Sequence, residues 1–231
     1  MVPRRRRPSA FTLSEMLVVV ALIAALLMIA LPVFSKVRSS GVEAECISRL
    51  KALGTGLLAY CADHQNRIMP ASNTADGVPW EEQTWIRALY YKKYVENADV
   101  FICPGYYPYN SRTRGLNGLM GTGRSYGMRI WGSPGDFAKR SQPRPLTVIE
   151  HPSEFFLLAD TYWKSLEGQG YVVQPDPSDK NQFIHLRHRQ RAHLFFADGS
   201  IRPVTREEVY RLSESQAAYG NGSRIQFRCW P

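Results

Sequence analysis

The sequence predicts an α+β fold in which one long N-terminal helix, apolar in its first half and amphipathic in its second, packs on a small antiparallel sheet. Three features of the chain point to it. Met16 to Phe34 (MLVVVALIAALLMIALPVF) holds no charged residue. Beyond it Ile47, Leu50, Leu53, Leu57 and Cys61 recur at three- and four-residue steps. From about Pro70 the texture changes to short apolar runs broken by Gly, Pro and Asn, closing on a strand, an Asp-Gly pair and a second strand. The expected organisation is a basic leader over 1–10, a transmembrane helix over 11–35, its amphipathic continuation over 36–66, and a globular α+β domain over 67–231.

The leader reads MVPRRRRPSA. It carries four of the 29 basic residues; the remaining 25 stand against 20 acidic ones, so the net charge falls from +9 to +5 without it. The nineteen residues that follow Glu15 are enough to cross a bilayer as a helix. Arginines on the N-terminal side stay cytoplasmic, which places the rest of the chain outside. A secretory signal peptide has a shorter apolar stretch and a small-residue cleavage site, and LPVFSKV offers no such site. A twin-arginine signal would need the same missing site. A plain signal anchor fits the length and charge but leaves Glu15 unexplained. A carboxylate within the membrane costs roughly 2.5–3.5 kcal/mol at mid-bilayer and less at the interface. Glu15 therefore sits at headgroup level or awaits a cation.

Pro32 lacks an N–H and clashes with the preceding turn, so it is expected to kink or divide the helix. From Val33 to about Asp63 the apolar stripe faces a core, with Glu43, Glu45, Arg49 and Lys51 mainly between its members. Gly54 and Gly56 weaken the local helix by about 1 kcal/mol each relative to alanine. Trp85–Tyr94 reads as a short helix, Asp99–Pro104 as a short apolar run ending in a turn, and 105–124 as a long loop. Phe155–Ala159 is a buried-strand candidate closed by Asp160. Ala192–Ala197 and Ser200–Val204 form a hairpin around Asp198-Gly199, a pair suited to positive φ at both central positions.

Four cysteines, Cys46, Cys61, Cys103 and Cys229, are too few for a disulfide-built fold, and no CxxC spacing occurs. Cys46 and Cys61 share one helix about 22 Å apart and cannot bond to each other. Outside the cytoplasm one or two disulfides are allowed, their pairing open.

Ala10-Phe11-Thr12-Leu13-Ser14-Glu15-Met16 and the apolar run behind it resemble the N-terminus of type IV prepilins and type II secretion pseudopilins. Glu15 and Pro32 stand at the spacings from Phe11 at which that family carries its acid and a proline. Ala10 stands where the family usually has glycine, and Ser14 and Met16 replace commoner aliphatic residues. The resemblance implies cleavage between Ala10 and Phe11 and N-methylation of Phe11, both by a prepilin peptidase. The helix over 11–35 would then be a filament core, with the new amine of Phe11 neutralising Glu15 of a neighbour. Implied partners are other pilin or pseudopilin subunits, an inner-membrane assembly platform and membrane lipid. The globular domain would lie in the periplasm, on a filament after processing.

The likeness extends beyond the leader to Cys46-Ile-Ser-Arg-Leu-Lys51, Phe101-Ile-Cys103-Pro104, Arg124-Ser-Tyr126-Gly127-Met128 and Leu158-Ala159-Asp160. It ends on His188, nine residues, then Asp198-Gly199, similar to the processing-associated H-x9-D-G signature. Ser48 stands where that group commonly has Asn, and Arg189-Gln190-Arg191 where it is richer in Gly.

His188, His193, Asp160 and Asp198 are the residues from which a metal or hydrolytic centre could be assembled. Plainer readings account for each. Asp198 serves its turn, His193 faces outward on a strand, and His188 pairs with Asp198 across the hairpin. No catalytic role, cofactor or metal is expected; Asp176 and Asp179 lack a calcium-loop pattern. The basic stretch His185–Arg191, with Tyr106, Tyr107 and Tyr109, would suit single-stranded nucleic acid. A solvated basic face explains it equally, so nucleic acid is not the expected partner. The competing reading of the whole chain is a signal-anchored periplasmic binding domain that never polymerises.

Overall fold

The computed structural model describes residues 12–73, 75–105, 125–130, 142–174, 182–215 and 229–230. The leader, Phe11, Tyr106, Tyr107, Tyr109, Asp176 and Asp179 lie outside them. The chain divides into two units, Met1–Val42 and Glu43–Pro231. Helix α1 (Leu13–Asp63) contributes residues to both.

In the first unit, α1 carries a window, Leu13–Leu31, long and apolar enough to cross a membrane, and none of it is buried within the protein. Leu17, Leu26 and Ile29 are 64%, 68% and 72% exposed. Such a surface is stable only against lipid or other protein. Of the two outcomes expected of Pro32, division does not occur: the helix continues through it. One lost backbone bond, flanked by long runs of helical residues, does not end a helix of 51 residues.

In the second unit, the rest of α1 packs on sheets. The strands are β1 (Arg67–Ile68), β2 (Gly127–Arg129), β3 (Arg144–Pro145), β4 (Phe156–Ala159), β5 (Thr161–Trp163), β6 (Val172–Val173), β7 (Gln182–His185), β8 (Ala192–Phe196), β9 (Ile201–Val204) and β10 (Cys229–Trp230). Among the described residues it also holds helices α2 (Trp85–Tyr91) and α3 (Arg206–Ser215). The main sheet has the order β6-β2-β4-β8-β9, a second has β10-β7-β5, and β1 pairs with β3. The pairings are antiparallel except β2 with β6 and β10 with β7. An apolar N-terminal helix followed by small, largely antiparallel sheets is α+β, the arrangement expected of a pilin-like fold.

The α1 stripe is shifted by one residue from its expected start. Cys46, Leu50, Leu53, Leu57 and Cys61 are 0–1% exposed, while Ile47 is half-buried. They share one core with Trp85, Phe101, Tyr126 and Phe195. Gly54 is the point of closest approach: a Cβ there would stand 2.1 Å from Phe195 Cε2. The helix-weakening glycine is therefore what admits the aromatic ring. On the other face of the main sheet, Phe156, Leu194, Phe196, Val204, Val209 and Leu212 form a second core that includes α3.

The β8–β9 connection differs from the expected tight turn. Phe196 N donates to Ser200 O, and of the Asp-Gly pair only Gly199 has positive φ, at 80°. Three residues thus lie between the bonded Phe196 and Ser200, the form in which a turn is followed by a left-handed glycine. The two-residue turn with positive φ at both centres lies earlier, at Arg189 (51°) and Gln190 (64°), closed by His188 and Arg191.

Candidate functional site

Asp160 is the single residue between β4 of the main sheet and β5 of the second. It is fully buried. Its backbone N–H donates to His193 O, its carbonyl accepts from His185 N, and its Oδ2 accepts from His193 N at 2.9 Å. The carboxylate thus acts as a bracket joining two sheets at their seam.

Around it the chain gathers polar groups from distant segments. Arg187 Nε lies 3.8 Å from Asp160 Oδ1, its side chain 3% exposed, and the same guanidinium donates to Thr161 O. His188 Nε2 stands 3.5 Å from Asp160 Oδ2 and 3.4 Å from Cys103 Sγ. His193 Nδ1 is 3.6 Å from Asp160 Oδ2, and its Nε2 is 3.5 Å from Glu43 Oε1 on α1. Cys103 is bonded to Cys46 of α1, joining residues 57 apart. Tyr126 hydroxyl donates to Cys46 O and lies 3.0 Å from Cys46 Sγ. Gln169 holds the Cys103 backbone through both its N–H and its carbonyl.

Burial alone would raise the Asp160 carboxyl. The Arg187 guanidinium, the His193 ring and backbone N–H, and His188 outweigh it and hold the carboxyl at about 2. The imidazole of His188 is pulled below its ordinary value, chiefly by burial and against the attraction of Asp160. Burial pushes the Tyr126 phenol well up. The cluster is therefore a carboxylate, a guanidinium and an uncharged His188 at neutral pH.

Two sequence-based expectations are overturned here. His193 does not face outward: it is 0% exposed. All five residues of β8 are buried, because α1 covers the His193 and Phe195 face and the second core covers the other. His188 does not pair with Asp198. The tight turn at Arg189-Gln190 directs it to Asp160, whereas Asp198 Oδ1 accepts from Ser200 N and Oγ at 2.9 and 2.6 Å. The Asp198-Gly199 turn is instead tied to α1 by Lys51 Nζ, which donates to Gly199 O at 2.8 Å. The basic stretch is also broken up, since Leu186, the Arg187 side chain and His188 turn inward. A continuous basic face for nucleic acid is not formed by these residues.

The structure brings Asp160, His188 and His193 together and leaves Asp198 apart. Sequence reasoning did not single out Glu43, Arg187, Tyr126, Cys46 or Cys103 as members. Glu43 and Cys46 come from α1 and Arg187 adjoins His188, whereas Cys103 and Tyr126 come from segments far from both along the chain, and no spacing in the sequence joins these four segments.

The N-terminal site is local. Thr12 N and Oγ1 both donate to Glu15 Oε2, at 2.8 and 2.7 Å, and Glu15 N lies 3.3 Å from Thr12 Oγ1. This is a capping box, legible in the sequence as Thr-x-x-Glu. Glu15 thus satisfies donors at the start of α1, a role its position alone did not suggest. Thr205 and Glu208 repeat the device at α3.

The Prokaryotic N-terminal methylation motif family matches residues 5–31. The match spans Ala10, Phe11 and Glu15 and supports a type IV pilin-like protein of the kind processed by a prepilin peptidase. No curated protein and no solved structure matches the chain.

Proposed function

We propose that this chain is a prepilin-like structural subunit, cut between Ala10 and Phe11, N-methylated on Phe11, and assembled into a type II secretion pseudopilus or a type IV pilus-like filament. The observation that supports it most is the methylation motif over residues 5–31 laid directly on a membrane-length helix whose apolar surface is left exposed among the described residues. Lipid stores that surface before assembly, and the same surface of neighbouring subunits replaces lipid afterwards. Glu15 sets axial register by pairing with the amine of Phe11 on a neighbour. The domain after Val42 stands in the periplasm and decorates the filament. Its partners are the peptidase, other subunits and the inner-membrane assembly platform. The chain itself performs no reaction.

Intact mass and N-terminal sequencing of protein recovered from membranes, with and without prepilin peptidase, tests this. A peptidase-dependent chain beginning at methylated Phe11 is expected. A chain that keeps Arg4 to Arg7 with the peptidase present, or one cut beyond residue 30, overturns the processing and leaves an anchored or secreted domain.

A further inference from the structure

We propose that Cys46, Cys103, Asp160 and His188 form a Zn2+ site that opens when the two cysteines are reduced and is closed by their disulfide when they are oxidised. One ligand atom from each of the four lies within 4.8 Å of every other, and all four residues are buried. Two sulfurs, an imidazole nitrogen and a carboxylate oxygen make a four-donor set that suits tetrahedral zinc and disfavours calcium or magnesium, which want oxygen alone.

A second, independent feature points to a ligand. Among the described residues, Asp160 Oδ1 is buried and accepts no hydrogen bond, and the contact on that oxygen is Arg187 Nε at 3.8 Å. A buried carboxylate oxygen left without a hydrogen bond is costly, and a metal bond would satisfy it. The surroundings are already those of a metal site. Oδ2 of Asp160 is held by His193 N, Tyr126 hydroxyl lies beside Cys46 Sγ, and Gln169 fixes the Cys103 backbone. The Cα atoms of the two cysteines are 5.3 Å apart. Zinc bonded to both would need their sulfurs about 3.8 Å apart. Side-chain rotation supplies that opening without moving α1.

Charge balances in both forms. With the disulfide closed, Asp160 and Arg187 cancel. With zinc bound, two thiolates and Asp160 carry three negative charges against Zn2+ and Arg187. The step between the forms is conventional thiol chemistry. A dithiol reductant gives two electrons and two protons to the Cys46–Cys103 bond and becomes a disulfide itself. Zn2+ then displaces both thiol protons to solvent. Either cross-link ties α1 to the segment around Cys103, so the helix stays attached to its domain in oxidising and reducing surroundings.

The test uses the full chain in detergent, oxidised and after phosphine reduction, titrated with Zn2+ alone and examined by X-ray absorption. The reduced chain should take one zinc with two sulfur and two nitrogen or oxygen neighbours, and its unfolding temperature should rise on zinc addition. The oxidised chain should take none there. Cys61→Ser should keep the site; His188→Gln, with native circular dichroism, should weaken it roughly a hundredfold or more. Co2+ in the reduced chain should give the thiolate charge-transfer and tetrahedral visible bands. Failure of the reduced wild-type chain to bind zinc, a sulfur count other than two, or unchanged affinity in folded His188→Gln overturns the proposal.

Discussion

Asp160 and His188 set the acid limit of the disulfide-closed domain, and the signs of their shifts agree. Asp160 is held at about 2, below its ordinary 3.8, so its contribution is present above 3.8 and is lost as pH falls through about 2. That amounts to about 2 kcal/mol. His188 lies below its ordinary 6.5, so the unfolded chain takes up a proton first as pH falls past 6.5, and stability drops there too. Chemical denaturation across pH should show a two-stage loss on acidification. His188→Gln should flatten the upper stage and keep most of the lower, which Arg187 and His193 also support; an unchanged profile in that variant would contradict the assignment. At Glu15 the capping and pairing roles separate by substitution. Glu15→Gln keeps a capping box and loses the charge. It is expected to leave cleavage intact and abolish filaments, and Glu15→Ala is expected to do the same. Filaments of normal yield from Glu15→Gln would leave only the cap.

At the scale of elements, close approach outweighs propensity. Alanine at position 54 would improve the helix by about 1 kcal/mol. Its methyl would nevertheless stand 2.1 Å from the Phe195 ring. Gly54→Ala should destabilise the domain by about 1–3 kcal/mol in urea unfolding. The turn before β8 makes the opposite case. Gln190 holds a left-handed conformation that costs a non-glycine residue about 1 kcal/mol. Gln190→Gly should therefore stabilise by roughly 0.5–1 kcal/mol, measured the same way. The same turn was missed in the sequence because Arg-Gln carries none of the residues that favour positive φ. The α3 helix was missed as well, although Thr205-x-x-Glu208 announces it.

Across the whole molecule, two surfaces of α1 answer to different surroundings. Residues Leu13–Leu31 present apolar side chains that are exposed among the described residues, whereas the stripe from Cys46 to Cys61 is sealed in a core. The Cys46–Cys103 bond closes a long loop between that helix and its domain. Chain-entropy reasoning assigns it about 4 kcal/mol. Paired Cys46→Ser and Cys103→Ser changes should lower the denaturant midpoint accordingly, and should do so without affecting the proposed cleavage before Phe11, since the methylation motif matches residues 5–31, away from both cysteines. Loss of cleavage on removing the disulfide would tie processing to the folded domain instead.

The sequence alone determined the membrane-length helix, its amphipathic continuation, the hairpin and the α+β class. These rest on local composition and periodicity, and neighbours along the chain suffice to express them. The motif at Ala10, Phe11 and Glu15 is local for the same reason. Only the tertiary structure decided the partners of Asp160, His188 and His193, the pairing of Cys46 with Cys103, and the inward turn of Arg187. Those depend on which faces of β8 are covered and on where β4 hands over to β5. Burial on both faces erases the alternation that marks an outward residue. A buried charge takes its partner from whatever segment the fold brings within reach, and no spacing along the chain records that.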